Sequence, residues 1–147
     1  MKFVIQRTSK ASVIIEKKIY SSIHKGLVVL IGIEKGDTKD LLDYYVTKIV
    51  NMRIFNDHSQ KMNQSLLDIK GEILLVSQFT LLANTKKGNR PSYINAAEPD
   101  LSKNLYRIFF EKLKNYEINV KKGRFGAHME LDFINDGPVT ILLGYDV

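Results

Sequence analysis

The chain has 147 residues, of which 44% are hydrophobic and 26% charged, the proportions of one ordinary soluble domain and too little chain for two. It contains no cysteine, which excludes disulfides, zinc ribbons, iron–sulfur clusters and a thiol nucleophile. The net charge is +6 at pH 7, and the stretch from Lys86 to Arg124, with ten basic residues against four acidic ones, carries all of it. Such unevenness fits a polyanionic partner such as RNA, bound through counterion release, and it fits equally a solvated Lys-rich surface. The longest apolar run, Leu27 to Ile31, is far too short for a membrane span, and MKFVIQRTSK has no signal-peptide core. The expectation is a cytoplasmic protein with no membrane association, residues 1–147 forming one domain.

In chain order, Phe3 and Ile5, then Val13 and Ile15, alternate with polar neighbours, the period of half-buried strands. Leu27 to Ile33 is a nearly continuous apolar run behind Gly26 and predicts a strand covered on both faces. Asp37 reads as a helix N-cap, and Leu41, Leu42, Tyr45, Val46, Ile49 and Val50 form one helical face. Asp68 to Gly71 reads as a turn before a β-rich run, Glu72 to Leu82. Pro99 and Asp100 open a second helix whose core face is Leu101, Leu105, Ile108, Phe109 and Leu113. Three short strands are predicted near Ile118–Lys121, Glu130–Ile134 and Val139–Leu143. The pattern predicts an α+β fold: a mostly antiparallel, barrel-like sheet with two main helices on one side.

The usual catalytic constellations are missing. His24, His58 and His128 are scattered without metal-ligand spacing, and no phosphate-binding loop or nucleophile elbow occurs. An enzyme built from this chain is expected to use no metal and no cofactor. Two segments combine polar groups with backbone punctuation. SQFTL, Ser77 to Leu81, places Ser77, Gln78 and Thr80 where an apolar strand should continue. It reads either as a strand passing from core to solvent or as a polar site. NDGPVT, Asn135 to Thr140, reads either as a plain turn or as a functional loop in which Gly137 takes unusual backbone angles before Pro138.

Together with VIQR-x-x-x-A-x-V at the N-terminus, GLVVLIGIEKGD, KIVNMRIFND, KMNQSLLD, GEILLVSQFTLLANTKKGNRPSY and GRFGAHMELDFINDGPVTILL, these segments resemble the D-aminoacyl-tRNA deacylase (D-tyrosyl-tRNA deacylase) family over almost the whole chain. SQFT and NxGPVT are its two signature motifs. The resemblance implies hydrolysis of the ester linking a D-amino acid, or glycine mischarged on alanine tRNA, to the tRNA terminus. It implies a homodimer with its active sites at the interface. Each site would combine Ser77, Gln78, Phe79 and Thr80 of one chain with a Gly137–Pro138 loop, cis in the family, from the other. Backbone N–H groups around Gln78 and Phe79 would hold the oxyanion. Phe125, Met129 and Asn135 would contact substrate, and Lys86, Lys87 and Arg90 would hold acceptor-stem phosphates. Leu82 and Asn84 stand where the family commonly has Tyr and Asp, Gln60 where it often has Gly, and His128 beside Met129 is unusual. A non-catalytic module binding RNA ends is the rival reading of the same charge pattern.

Overall fold

The structure is a computed structural model describing residues 1–145. It contains β1 (Lys2–Ile15), β2 (Lys18–Ile23), β3 (Gly26–Gly32), α1 (Leu42–Asn51), β4 (Phe55–Asn56), β5 (Met62–Gln64), β6 (Glu72–Ser77), α2 (Pro99–Lys114), β7 (Val120–Lys122) and β8 (Glu130–Leu143). The main sheet runs β2-β1-β3-β6-β7, with β8 on β1, and β4 and β5 form a small sheet of their own. Pairing around β1 is antiparallel, as expected. The β3–β6 and β6–β7 pairs are parallel, because α1 and then α2 intervene and return the chain to the same end of the sheet. The Ser21 hydroxyl on β2 donates to the Lys122 carbonyl on β7 (3.0 Å) and draws the sheet nearly into a barrel.

Alternation along β3 explains the layers. Leu27, Val29 and Ile31 join Phe3, Ile5, Ile73 and Leu75 in a core covered by Leu42, Val46, Ile49 and Val50 of α1 and by Leu105, Phe109 and Leu113 of α2. Val28 points the opposite way, into a second cluster with Val13, Ile23, Leu74 and Val76, lined by Met129, Leu131 and Phe133. Both helices therefore lie on one side of the sheet, while the start of β8 covers the other.

Four local expectations change. Asp37 is not a helix cap: its carboxylate accepts from the Glu34 amide (2.6 Å) and the Met1 ammonium (2.7 Å), while Thr38 holds the N-cap position, without a side-chain capping bond, of a 3-10 turn, Lys39–Leu41, leading into α1. The β-run from Glu72 stops at Ser77, and Phe79–Leu82 is a 3-10 turn. Glu130–Ile134 and Val139–Leu143 are two ends of one strand. In α2, Leu101 is 41% exposed while Tyr106 is buried, because its hydroxyl has a partner inside: it donates to the Leu75 carbonyl (2.9 Å).

Gly26 sits opposite Glu72 at the start of the parallel pair, and a Cβ there would strike the Glu72 backbone. Gly26→Ala is expected to lower stability by about 3 kcal/mol, the upper range for an overpacked site. A urea titration checks it, and an unchanged midpoint would contradict the close approach.

Candidate functional site

A cleft of about 600 Å³ opens where β6 ends, walled by the segment entering α2 and by residues 125–131. Its floor is apolar, from Ile31, Ile33 and Val76. At the strand end the Gln78 amide donates to the Ile31 carbonyl (2.7 Å), extending the parallel pairing by one step. Gln78 then turns the chain (φ −145°, ψ 80°) into the 3-10 turn, which Leu82 anchors in the interior beside Gly32. Phe79 and Thr80 are left exposed at the rim.

This geometry revises the expected oxyanion donors. The Gln78 amide is committed to Ile31, whereas the amides of Phe79 and Thr80, first in the turn, have no acceptor among the described residues. The Thr80 hydroxyl accepts a hydrogen bond from the Gln78 side-chain amide. The ionisable groups lining the cleft are Glu98 and Tyr93, neither of them bonded to Thr80. An alcohol without a base beside it is a poor nucleophile.

Ser77, Gln78, Phe79, Phe125 and Met129 all line the cleft, so the structure brings together five of the residues singled out from sequence. Phe125 packs on Tyr106 (ring centroids 5.8 Å apart), and burial pushes that phenol's pKa far above its ordinary value, keeping it a neutral hydrogen-bond donor. Phe79 meets Tyr93 edge-on at 5.0 Å. Tyr93, Ala96, Ala97 and Ser102 also line the cleft and escaped the sequence reading; they lie in a loop and in the first turn of a helix without a motif.

The other expected residues lie elsewhere. Lys86, Lys87 and Arg90 are exposed in a loop closed by paired backbone bonds between Asn84 and Ser92. Asp136, Gly137 and Pro138 protrude from β8, six or so residues beyond Leu131, the part of that strand that lines the cleft. Between the pairs Thr8–Asn135 and Gln6–Thr140, residues 136–139 of β8 stand opposite Arg7 alone, so they must loop out. The Gly137–Pro138 peptide is cis, with Gly137 at φ +129°. Asn135 belongs to this loop and not to the cleft: its side-chain oxygen accepts from the Val139 amide (3.1 Å), and its nitrogen donates to the Thr140 hydroxyl (3.0 Å).

Arg7 holds the loop from below. Its guanidinium donates to the carbonyls of Asp136 (2.9 Å) and Ile54 (2.8 Å) and to the Asn56 side-chain oxygen (3.2 Å), while the Asp136 carboxylate stands 3.5 Å away. The side chain is 8% exposed. Arg7 was missed in the sequence, yet the signal was present: it continues the Phe3–Ile5 alternation onto the buried face.

The family model described as D-Tyr-tRNA(Tyr) deacylase matches residues 4–144. The chain is 52% identical to the D-aminoacyl-tRNA deacylase of Thermosipho africanus (strain TCF52B) over 143 residues, 97% of this chain and 96% of that one. It is also 52% identical, over 144 residues, to the D-aminoacyl-tRNA deacylase of Thermosipho melanesiensis, again covering 97% and 96% of the two chains. The chain belongs to the D-aminoacyl-tRNA deacylase family. Among solved structures, the c-Myc DNA unwinding element binding protein superposes with a TM-score of 0.93 at 42% identity, each chain covered completely. A probable eukaryotic D-amino acid tRNA deacylase shares the fold, with a TM-score of 0.83 at 18% identity over 97% of both chains. Membership of this deacylase family gives the SQFT and NDGPVT segments, far apart within one chain, a common context.

Arg7→Lys keeps the charge but cannot make the forked set of bonds. It is expected to cost about 2 kcal/mol, from buried carbonyls left without a donor, and to speed amide exchange at Val139. Wild-type exchange there would show that Arg7 does not hold the loop.

Proposed function

We propose that this protein hydrolyses D-aminoacyl-tRNA, releasing free tRNA and the D-amino acid, and acts in the cytoplasm where charged tRNA is used. The observation that carries the proposal is the conjunction, in a member of this family, of the cleft lined by Ser77, Gln78 and Phe79 with an exposed Gly137–Pro138 loop clamped by Arg7. The aminoacyl group enters the cleft, and the terminal adenosine lies against Phe125 and Met129, whose apolar surfaces suit a base. Water attacks the ester carbonyl, the oxyanion is held by the Phe79 and Thr80 amides, and collapse expels the ribose oxygen, which takes up a proton. The ribose 2′-hydroxyl assists the water, and Thr80 positions the reacting groups. The Thr80 oxygen, already accepting from Gln78 with no base beside it, supports that assignment over direct attack.

The loop serves the cleft of a second copy. Within one chain, Gly137 packs on Arg7 and lines no part of its own cleft, and a homodimer would bring the two together. Exposed apolar side chains on β8, Ile134 at 50% and Leu142 at 58%, and at the cleft rim, Phe79 at 58%, supply surface for such an interface. Main-chain atoms of a clamped loop form a fixed obstruction to an L side chain. They leave a D side chain and glycine untouched, so glycine mischarged on alanine tRNA is also a substrate. Enantiomers carry identical groups, and a rigid obstacle separates them better than attraction does.

D-tyrosyl-tRNA is expected to be deacylated at least a hundredfold faster than L-tyrosyl-tRNA; equal initial rates would overturn the chiral selectivity, and no acceleration of either over the uncatalysed reaction would leave only RNA-end binding. Thr80→Ala is expected to lose less than tenfold in kcat, and a 2′-deoxy terminal adenosine considerably more. The reverse order would make Thr80 the nucleophile.

The loop's partnership can be read in mixed dimers. Gly137→Ala places a Cβ 2.8 Å from the Arg7 Nη2 at a φ closed to L residues, so it displaces the loop. In a heterodimer pairing that chain with one disabled in the Ser77–Thr80 segment, the surviving cleft faces the partner's native loop and should keep wild-type D/L selectivity. Relaxed selectivity there would mean that the loop serves its own chain.

A further inference from the structure

The Lys86–Arg124 charge excess divides, once folded, into three parts, with Lys121 exposed on β7 apart from them. Lys86, Lys87 and Arg90 sit in the exposed loop, and Lys112 and Lys114 pair with Asp43 and Glu111. The third part is a strip. Lys103, Arg107, Phe110 and Lys114 recur at i, i+4, i+7 and i+11 and so share one face of α2. Lys122 of β7 lies over the Phe110 ring (4.2 Å), with Lys114 on the same ring at 5.5 Å. Arg124 lies over Tyr20 of β2 at 5.1 Å. Lys103, Arg107, Lys122 and Arg124 form no ion pair among the described residues.

This strip leads into the cleft. Ser102, next to Lys103, lines it, and so do Phe125 and Gly126, which follow Arg124. Phe125 in turn packs on Tyr106 of α2. The 16 residues of α2 extend about 24 Å at 1.5 Å per residue, enough to follow several successive phosphates. Two of the cations are steadied on aromatic rings, which lowers the entropy lost when a phosphate is bound.

We propose that the strip of Lys103, Arg107, Lys122 and Arg124, on α2, the end of β7 and the β7–β8 connection, is the seat of the RNA duplex backbone adjoining the acceptor end. The stem then runs away from the cleft along α2, and the Lys86–Arg90 loop is secondary. This rests on the deacylase reading for the identity of the RNA. The recognition itself is of phosphates, without sequence preference.

The test compares wild type with the fourfold variant Lys103→Gln, Arg107→Gln, Lys122→Gln and Arg124→Gln, and with the triple variant Lys86→Gln, Lys87→Gln and Arg90→Gln. Binding of uncharged tRNA is followed from 50 to 200 mM salt. The fourfold variant should bind at least tenfold more weakly at 100 mM, and the slope of log K against log salt should fall by about one for each cation removed. In the same variant, the ratio of kcat/KM for D-tyrosyl-tRNA to that for D-tyrosyl-adenosine, which has no stem, should fall at least tenfold. Restoring charge with Lys103→Arg and Lys122→Arg, leaving Arg107 and Arg124 native, should restore both. An unchanged salt slope overturns the proposal. So does a larger loss in the loop variant, or an equal fall on both substrates. If wild type binds tRNA through the strip yet hydrolyses neither ester, the deacylase reading fails and the strip stands.

Discussion

Burial of β3 on both faces is the constraint from which the rest of the fold follows. Leu27, Val29 and Ile31 must be covered on one side and Val28 on the other, and no single helix or sheet can do both. Two amphipathic helices supply the first cover. The second comes from bending the sheet, so that the early part of β8 brings Leu131 and Phe133 over Val28 and Leu74. Bending also brings Met129 and Phe125 beside the end of β6, which is where the cleft lies. The same packing that removes apolar surface from water therefore creates the concavity.

Much of this was legible in the sequence because it depends on periodicity. The helical faces apart from Leu41 and Leu101, which are exposed, the start of α2 at Pro99 and the doubly buried strand follow from side-chain spacing that tertiary context did not override. The parallel pairs were implicit in the order of strand, helix and strand. What escaped was chemistry that answers to distant partners. Asp37 has an ordinary capping side chain, but the Met1 ammonium and the Glu34 amide claim it. Ser77 to Leu82 has strand-like composition, yet the chain turns at Gln78, where the parallel neighbour β3 ends. Asn135 to Val139 resembles a turn between strands, and only the register with β1 reveals that residues 136–139 loop out opposite Arg7.

For the site, the sequence carried the motifs but not their separation. Ser77, Gln78 and Phe79 fall in the cleft with Phe125 and Met129, while Gly137 and Pro138 line no part of it. No periodicity could have shown that separation; the expectation that the two motifs meet across two chains came from the family resemblance alone. Arg7 links the two halves of the problem, since it lies on the buried face of β1 and yet bonds to the loop.

That position of Arg7 governs how the protein fails. A loop fastened through the interior to Ile54 and Asn56 loosens only when the surrounding core opens. Damage or heat sufficient to free it also disrupts the strands that shape the cleft. Under the proposed role of the loop as the obstruction to L-amino acids, the dangerous state is one that is still active but indiscriminate. Anchoring the loop in the core would then make that state scarce: the molecule would fall silent before it became destructive.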